Sequence, residues 1–194
     1  MPQPMQSSRS TLGCLTTTSF PLLSLTFASS SQIAFFGDRV LRGVQLAVHA
    51  YHQQHPDGRV EVIMKDTGGS PEQAVSALTG LQAQGVAVVI GPLLTRDAES
   101  IAPVLEKLKI PVITPAASGP GIGRLSPWLF RNALTNSVQA AAAAAFAVEK
   151  RLHRFIILYP EDPYGRDLAR LFAKELSRKI EVLASVGYEP DAKD

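Results

Sequence analysis

"VAVVIGPLLTRDAESIAPVLEKLKIPVIT", residues 86–114, contains one full alternation of pattern. Its first six residues are almost continuously apolar and end in Gly91, the pattern of a strand covered on both faces of a sheet. From Thr95 onward, Ile101, Val104, Leu105 and Leu108 recur at helical spacing, with Thr95 placed to cap that helix. Pro103 lies inside the segment and predicts a kink or a restart there. "IPVIT" (110–114) returns to a short apolar run rich in β-branched residues, a second strand. A strand, a helix and a strand joined by short connections make a parallel crossover unit.

The same alternation extends both ways. Upstream, Val40, Val44, Ala47, Val48 and Tyr51 share one face of a helix that ends near Pro56, and "RVEVIMKDT" (59–67) reads as a strand. Ser70-Pro71-Glu72-Gln73 supplies an N-cap, a proline at the first helical position and a Gln three residues after the cap. Ala74, Val75, Leu78 and Leu81 make that helix's inner stripe, and Gly85 stops it. Downstream, "WLFRN" (128–132) is a short strand, and Asn136 with Gln139 patterns as a capping box for an alanine-rich helix over 137–152. "RFIILYP" (154–160), a helix over 164–179 with Leu168, Leu171, Phe172 and Leu176 inward, and "IEVLASVGY" (180–188) close the series. The fold class is α/β, a doubly wound parallel sheet with helices on both faces.

In such sheets ligands gather beyond the carboxyl ends of the strands. The residues at those ends are 66–69, 91–95, 114–119 and 160–164. "VITPAAS" (112–118) stands out among them, because Pro115 ends the ladder and Ala116, Ala117 and Ser118 are too small to fill a core. They leave backbone groups within reach of a ligand. Thr95 fits either a helix cap or a hydroxyl donor beside a helix N-terminus that suits a carboxylate. Ser118 fits either a turn or a ligand contact, and Tyr164 either core or a lid over a ligand. Asp66, ahead of Gly68-Gly69, fits an Asx-type turn.

Other motifs carry less. "GPGIGR" (119–124) mimics a dinucleotide fingerprint, but Pro120 and Pro127 keep it from running into a helix. His49, His52 and His55 belong to a solvated helix face, and no nucleophile elbow or paired carboxylates argue for an enzyme. A net charge of +2 with scattered Lys and Arg gives no basis for nucleic acid. Cys14 is the single cysteine, so neither an internal disulfide nor a cysteine metal site is available, and no cofactor is implied. No run reaches the roughly 18 apolar residues of a membrane helix.

Residues 1–34 form an atypical leader: thirteen of the first 31 are Ser or Thr, and no acid precedes Asp38. An export signal is one reading, with Arg9 ahead of "PLLSLTFASS"; a disordered or wrongly delimited leader is the other. "TLGC" (11–14) has only a faint likeness to a lipoprotein cleavage site.

"FGDRVLRGVQLAV", "KDTGGSPEQAVSAL", "VVIGPLLTRDAESIAPVLEKLKIPVITPAAS", "LFRN" and "ILYPEDPYGRDLARLF" together resemble the type I periplasmic binding proteins, the branched-chain amino-acid receptors of ABC importers. The resemblance covers about 35–194. It implies two α/β lobes that close on a ligand: an N-terminal lobe over 35–135, then a crossover helix and an incomplete second lobe over 136–194. The family's first strand would lie before Phe36, where "TTTSFPLLSLTFASSSQ" matches it poorly, and its acidic partner for an ammonium would lie beyond Asp194. By position, Thr95 and Ser118 would donate to a ligand carboxylate, and Ala116 would offer its carbonyl to an ammonium. Leu94 and Ala117 would flank them, Phe36 would line the first-lobe wall, and Tyr164 would cover the ligand. The implied partners are a small amino-acid-like ligand and a membrane permease, the implied location periplasmic or extracellular, with lipid anchoring open. A related branch, the penicillin-binding protein activators that regulate peptidoglycan synthesis by protein contact, shares "DTGGSPEQA", "IGPLL" and "YPEDPYGR" and is the alternative.

Overall fold

The computed structural model describes residues 22–27, 34–176 and 180–189. Two parallel sheets follow each other along the chain. The first is built from β1 (Leu22–Phe27), β2 (Glu61–Asp66), β3 (Val88–Ile90), β4 (Val112–Thr114) and β5 (Leu129–Arg131), in the spatial order β2-β1-β3-β4-β5. Its helices are α1 (Ala34–Gln54), α2 (Pro71–Ala83) and α3 (Thr95–Leu108). The second sheet pairs β6 (Arg154–Pro160) with β7 (Glu181–Tyr188), accompanied by α4 (Asn136–Glu149) and α5 (Pro163–Leu176).

β1 is the central surprise. Six residues of the stretch assigned to a leader lie between β2 and β3, with Leu23 in register with Val62 on one side and Val88 on the other. Ser24 and Thr26 interrupt the apolar run in sequence, which disguises the strand. A strand needs only every second residue to face a core. The rest of 1–34, including Arg9 and Cys14, lies outside the described residues except for Ala34, which opens α1.

The core of the first sheet follows the sequence pattern closely. Ser70 caps α2, its hydroxyl accepting from the Gln73 N–H at 3.4 Å, and Pro71 occupies the first turn. Ala74, Leu78 and Leu81 are buried from α2, Ala98, Ile101, Ala102 and Leu105 from α3, and Val89, Val112 and Leu129 from the strands. Each fully buried Leu here contributes about 1.5–3 kcal/mol. α3 runs past Pro103 without the restart that is one of the two expectations there, with the proline on the exposed face. There its missing N–H forfeits only one bond of the ladder. In α1, by contrast, Val40, Val44 and Val48 are only half-buried, and Ala47 and Tyr51 are exposed.

The second sheet has a smaller core, in which Ala144, Ala147, Leu176 and Ile180 meet Phe155, Phe172 and Val182. Phe155 and Phe172 stack edge to face at 5.6 Å. Ile156 and Leu158 stay 61% and 70% exposed on the other side of β6.

Candidate functional site

The carboxyl ends of β2, β3 and β4 open onto one rim, and hydrogen bonds join its loops. Arg96, on the first turn of α3, donates through Nη2 to the Gly69 carbonyl after β2. The Thr114 hydroxyl, wholly buried, donates to the Pro92 carbonyl at 2.6 Å and accepts from the Ala117 N–H at 3.2 Å. Thr95 Oγ1 accepts from the Gly119 N–H at 3.1 Å. A side chain at Gly119 would put its Cβ 2.3 Å from Thr95 Cγ2, so glycine is what allows this approach. Arg131 Nη1 holds the Gly119 carbonyl at 2.9 Å.

Thr95 is therefore not the cap of α3. Leu94 takes that position, half-buried, with no side-chain bond to the first turn. A hydroxyl that accepts from Gly119 keeps its own proton to donate, beside a helix start that no capping side chain fills. Ser118, one residue before Gly119, is buried, and its carbonyl accepts from the Asn136 N–H at 3.1 Å. Ala117 is buried and Ala116 exposed on the same loop. Thr95, Ala116, Ala117 and Ser118 thus meet on one rim, with Leu94 at its edge.

Phe36 does not join them by any comparable contact. It is 59% exposed on α1, its ring edge-on to Phe35 at 5.8 Å, and α1 packs on β1. Tyr164, on the first turn of α5, is 46% exposed and donates its hydroxyl to Gln139 Oε1 at 3.1 Å.

Asn136 is a further functional candidate that the cap reading hid. Thr135 caps α4, accepting from the Val138 N–H at 3.1 Å, so Asn136 is helical and its side chain points elsewhere. Its Nδ2 donates to Asp167 Oδ2 at 2.8 Å, and its Oδ1 is the buried side-chain acceptor without a partner among the described residues. Burial pushes the Asp167 carboxyl up, but hydrogen bonds from Asn136 and Arg170 outweigh it and hold it below the usual range. Asp97, buried at 2% exposure in α3, moves the other way, raised mainly by burial despite its bond from Arg96.

Elsewhere, Asp66 accepts from the Gly68 N–H at 2.8 Å, the turn role its position suggests. The three histidines act separately: on α1 His49 meets Gln53 and His52 accepts from the Val60 N–H, while just past α1 the His55 ring lies 4.6 Å from Tyr51. Among the described residues no group of three or more His, Cys, Asp or Glu is placed to hold a metal ion. No described helix is long and apolar enough to cross a membrane.

A cavity of about 500 Å³ lies along β6, lined by Ala140, Ala143, Ile157, Tyr164, Leu168 and Phe172 among others. In the first sheet β1 is flanked by both β2 and β3, whereas β6 pairs only with β7 among the described residues. The cavity thus follows the unpaired edge of a strand, and the rim of the first sheet remains the candidate site.

The sequence model of the periplasmic binding protein family matches residues 24–194. The chain belongs to that family. Among curated relatives, the Leu/Ile/Val-binding protein of Escherichia coli K12 is 28% identical over 147 residues, covering 74% of this chain and 40% of its own. A Leu/Ile/Val-binding protein homolog of Brucella melitensis is 27% identical over 150 residues, covering 75% and 41%. The chain spans about two fifths of the length of these relatives. Among solved structures, the branched-chain amino-acid transporter substrate-binding protein of Streptococcus pneumoniae, in complex with isoleucine, superposes at a TM-score of 0.78 with 24% identity, over 91% of this chain and 51% of its own. A solute-binding protein of an ABC transporter from Rhodopseudomonas palustris, in complex with 3,4-dihydroxybenzoic acid, gives 0.76 with 21% identity, over 88% and 47%. The fold is that of the type I periplasmic binding proteins, and the family match begins within β1.

Proposed function

We propose that this chain carries the first-lobe binding surface of an extracytoplasmic solute-binding protein that hands a small carboxylate ligand to the permease of an ABC importer. The observation that carries this is the Thr95–Gly119 bond, which sets the Thr95 hydroxyl beside Ser118 at the start of an uncapped helix. Isoleucine and 3,4-dihydroxybenzoic acid, the ligands of the two structural neighbours, share one group, a carboxylate. Two hydroxyls and a helix N-terminus suit that group. In this reading Thr95 and Ser118 donate to the carboxylate and the Ala116 carbonyl receives the ammonium of an amino acid. Leu94 and Ala117 shape the approach, Tyr164 covers the ligand from the second lobe, and Phe36 lines the outer wall. Capture is reversible and involves no covalent step.

Isothermal calorimetry of the chain against L-leucine, L-isoleucine, L-valine, 4-hydroxybenzoate and 3,4-dihydroxybenzoate tests this. Heat with an amino acid, lost in Thr95→Ala, supports the full assignment. Heat with the benzoates alone keeps the carboxylate site and removes the ammonium role of Ala116. No heat with any of the five overturns the reading.

A further inference from the structure

We infer that Asn136 and Gln139, on the first turn of α4, are positioning residues that lock the register of α5 and so fix Tyr164 where the ligand's second wall would stand. This rests on the binding role of Tyr164 proposed above. Residues three apart on a helix lie on one face, and the two pairs run in opposite order. Asn136 reaches Asp167, and Gln139 reaches Tyr164. The bonds are two polar rungs that tie together the first turns of two helices running the same way, since each leads into one strand of the parallel β6–β7 pair.

On the α4 side the rest of the contact offers little to set a register: Phe172 and Leu176 of α5 meet only alanines, Ala144 and Ala147, there. α4 contributes buried Ala140, Ala144 and Ala147, and α5 contributes Gly165 and Ala169 before Leu176. Small side chains give a smooth surface, and polar partners at one end add direction that apolar contact lacks.

Both rungs are also tied to the chain segment that leads from the first sheet to the second. The Asn136 backbone N–H is held by the Ser118 carbonyl on the rim loop. Gln139 Nε2 donates to the Leu134 carbonyl at 3.1 Å while its Oε1 receives the Tyr164 hydroxyl. One amide thus spans from the crossing segment to α5. With its phenolic proton committed to Gln139, Tyr164 presents its ring, rather than a hydroxyl donor, toward a ligand. The helix end connects the carboxylate-binding loop to the tyrosine through a few bonds.

The test uses the whole chain with tyrosines labelled at Cζ, Tyr164→Phe assigning the resonance among the four tyrosines. Gln139→Leu removes both amide bonds and should shift the Tyr164 resonance. Gln139→Glu keeps an acceptor for the phenol and should leave the resonance near its original position. Asn136→Leu touches Tyr164 nowhere, yet should shift its resonance if the rungs act as one lock. In calorimetry with the acid that binds the unmodified chain most tightly, Gln139→Leu should weaken affinity about threefold to tenfold, with Gln139→Glu recovering to within about twofold. An unmoved resonance in Gln139→Leu or Asn136→Leu overturns the lock, as does equal loss of affinity in the Leu and Glu variants. If the unmodified chain binds none of the acids, the binding reading fails and the ligand role of Tyr164 with it. The resonances then still decide whether the lock exists.

Discussion

The two sheets are built by the same rule and differ in how far it is carried. In the first, the opening strand is paired on both edges, and Leu81, Leu105 and Val112 are sealed beneath helices. In the second, the opening strand is paired on one edge among the described residues, and Leu158 is 70% exposed. The contrast teaches that the same crossover pattern yields a sealed core only when the first strand gains its second neighbour. The first sheet carries the larger sealed core, while the second has a small cluster under α4 and α5.

Substitutions can break or sharpen that contrast. The largest effect is expected at Leu105→Ala, about 2–5 kcal/mol of destabilisation, read by urea unfolding through the fluorescence of Trp128, the single tryptophan, which packs against the first core. Gly165→Ala comes next. Its Cβ would lie 2.3 Å from the Pro160 carbonyl oxygen, and backbone cannot step aside. A cost of about 1–3 kcal/mol is expected, seen in the circular dichroism melt. Gly119→Ala presses instead on the Thr95 side chain, which can rotate at the cost of its bond. About 1 kcal/mol of stability should go, with a larger proportional loss of ligand affinity in calorimetry.

Asp97, buried, and Asp167, half-buried, should respond to pH with opposite signs. Asp97 has a raised pKa in the folded chain, so its stabilising share is complete below the unfolded carboxylate value near 3.9 and is lost as pH rises through the folded value. Asp97→Asn should remove that decline. Asp167 has a lowered pKa, so its share is present above about 3.9 and is lost as pH falls through the folded value. Asp167→Asn should flatten the acid side. Urea unfolding of both variants between pH 3 and 7 reads each slope. Smallest of all, Leu158→Ala should stay within about 0.5 kcal/mol in the same assay. A loss as large as that of Leu105→Ala would erase the distinction between the sheets.

Much of this fold is legible in sequence because its helices and strands keep strict periods. The Ser70 cap, the α2 stripe and the Asp66 turn come directly from local pattern, since the cap and turn bonds close within three residues and the stripe repeats at helical spacing. Thr95 and Asn136 were misread for one shared reason. Each sits one position past the true cap, and each spends its side chain on a distant element, Gly119 or Asp167. Local rules price a polar residue only against its own helix. The rim cluster was readable because strand ends in parallel sheets converge. The Gln139–Tyr164 bond was not, because it depends on how two helices cross.

The place of β1 also bears on maturation. A peptidase cutting after Phe27 would discard the ribbon that joins β2 to β3, leaving a lone strand on one side and three on the other. Any trimming of the amino terminus compatible with this architecture has to stop before Leu22, so the apolar letters at 22–27 belong to the folded sheet.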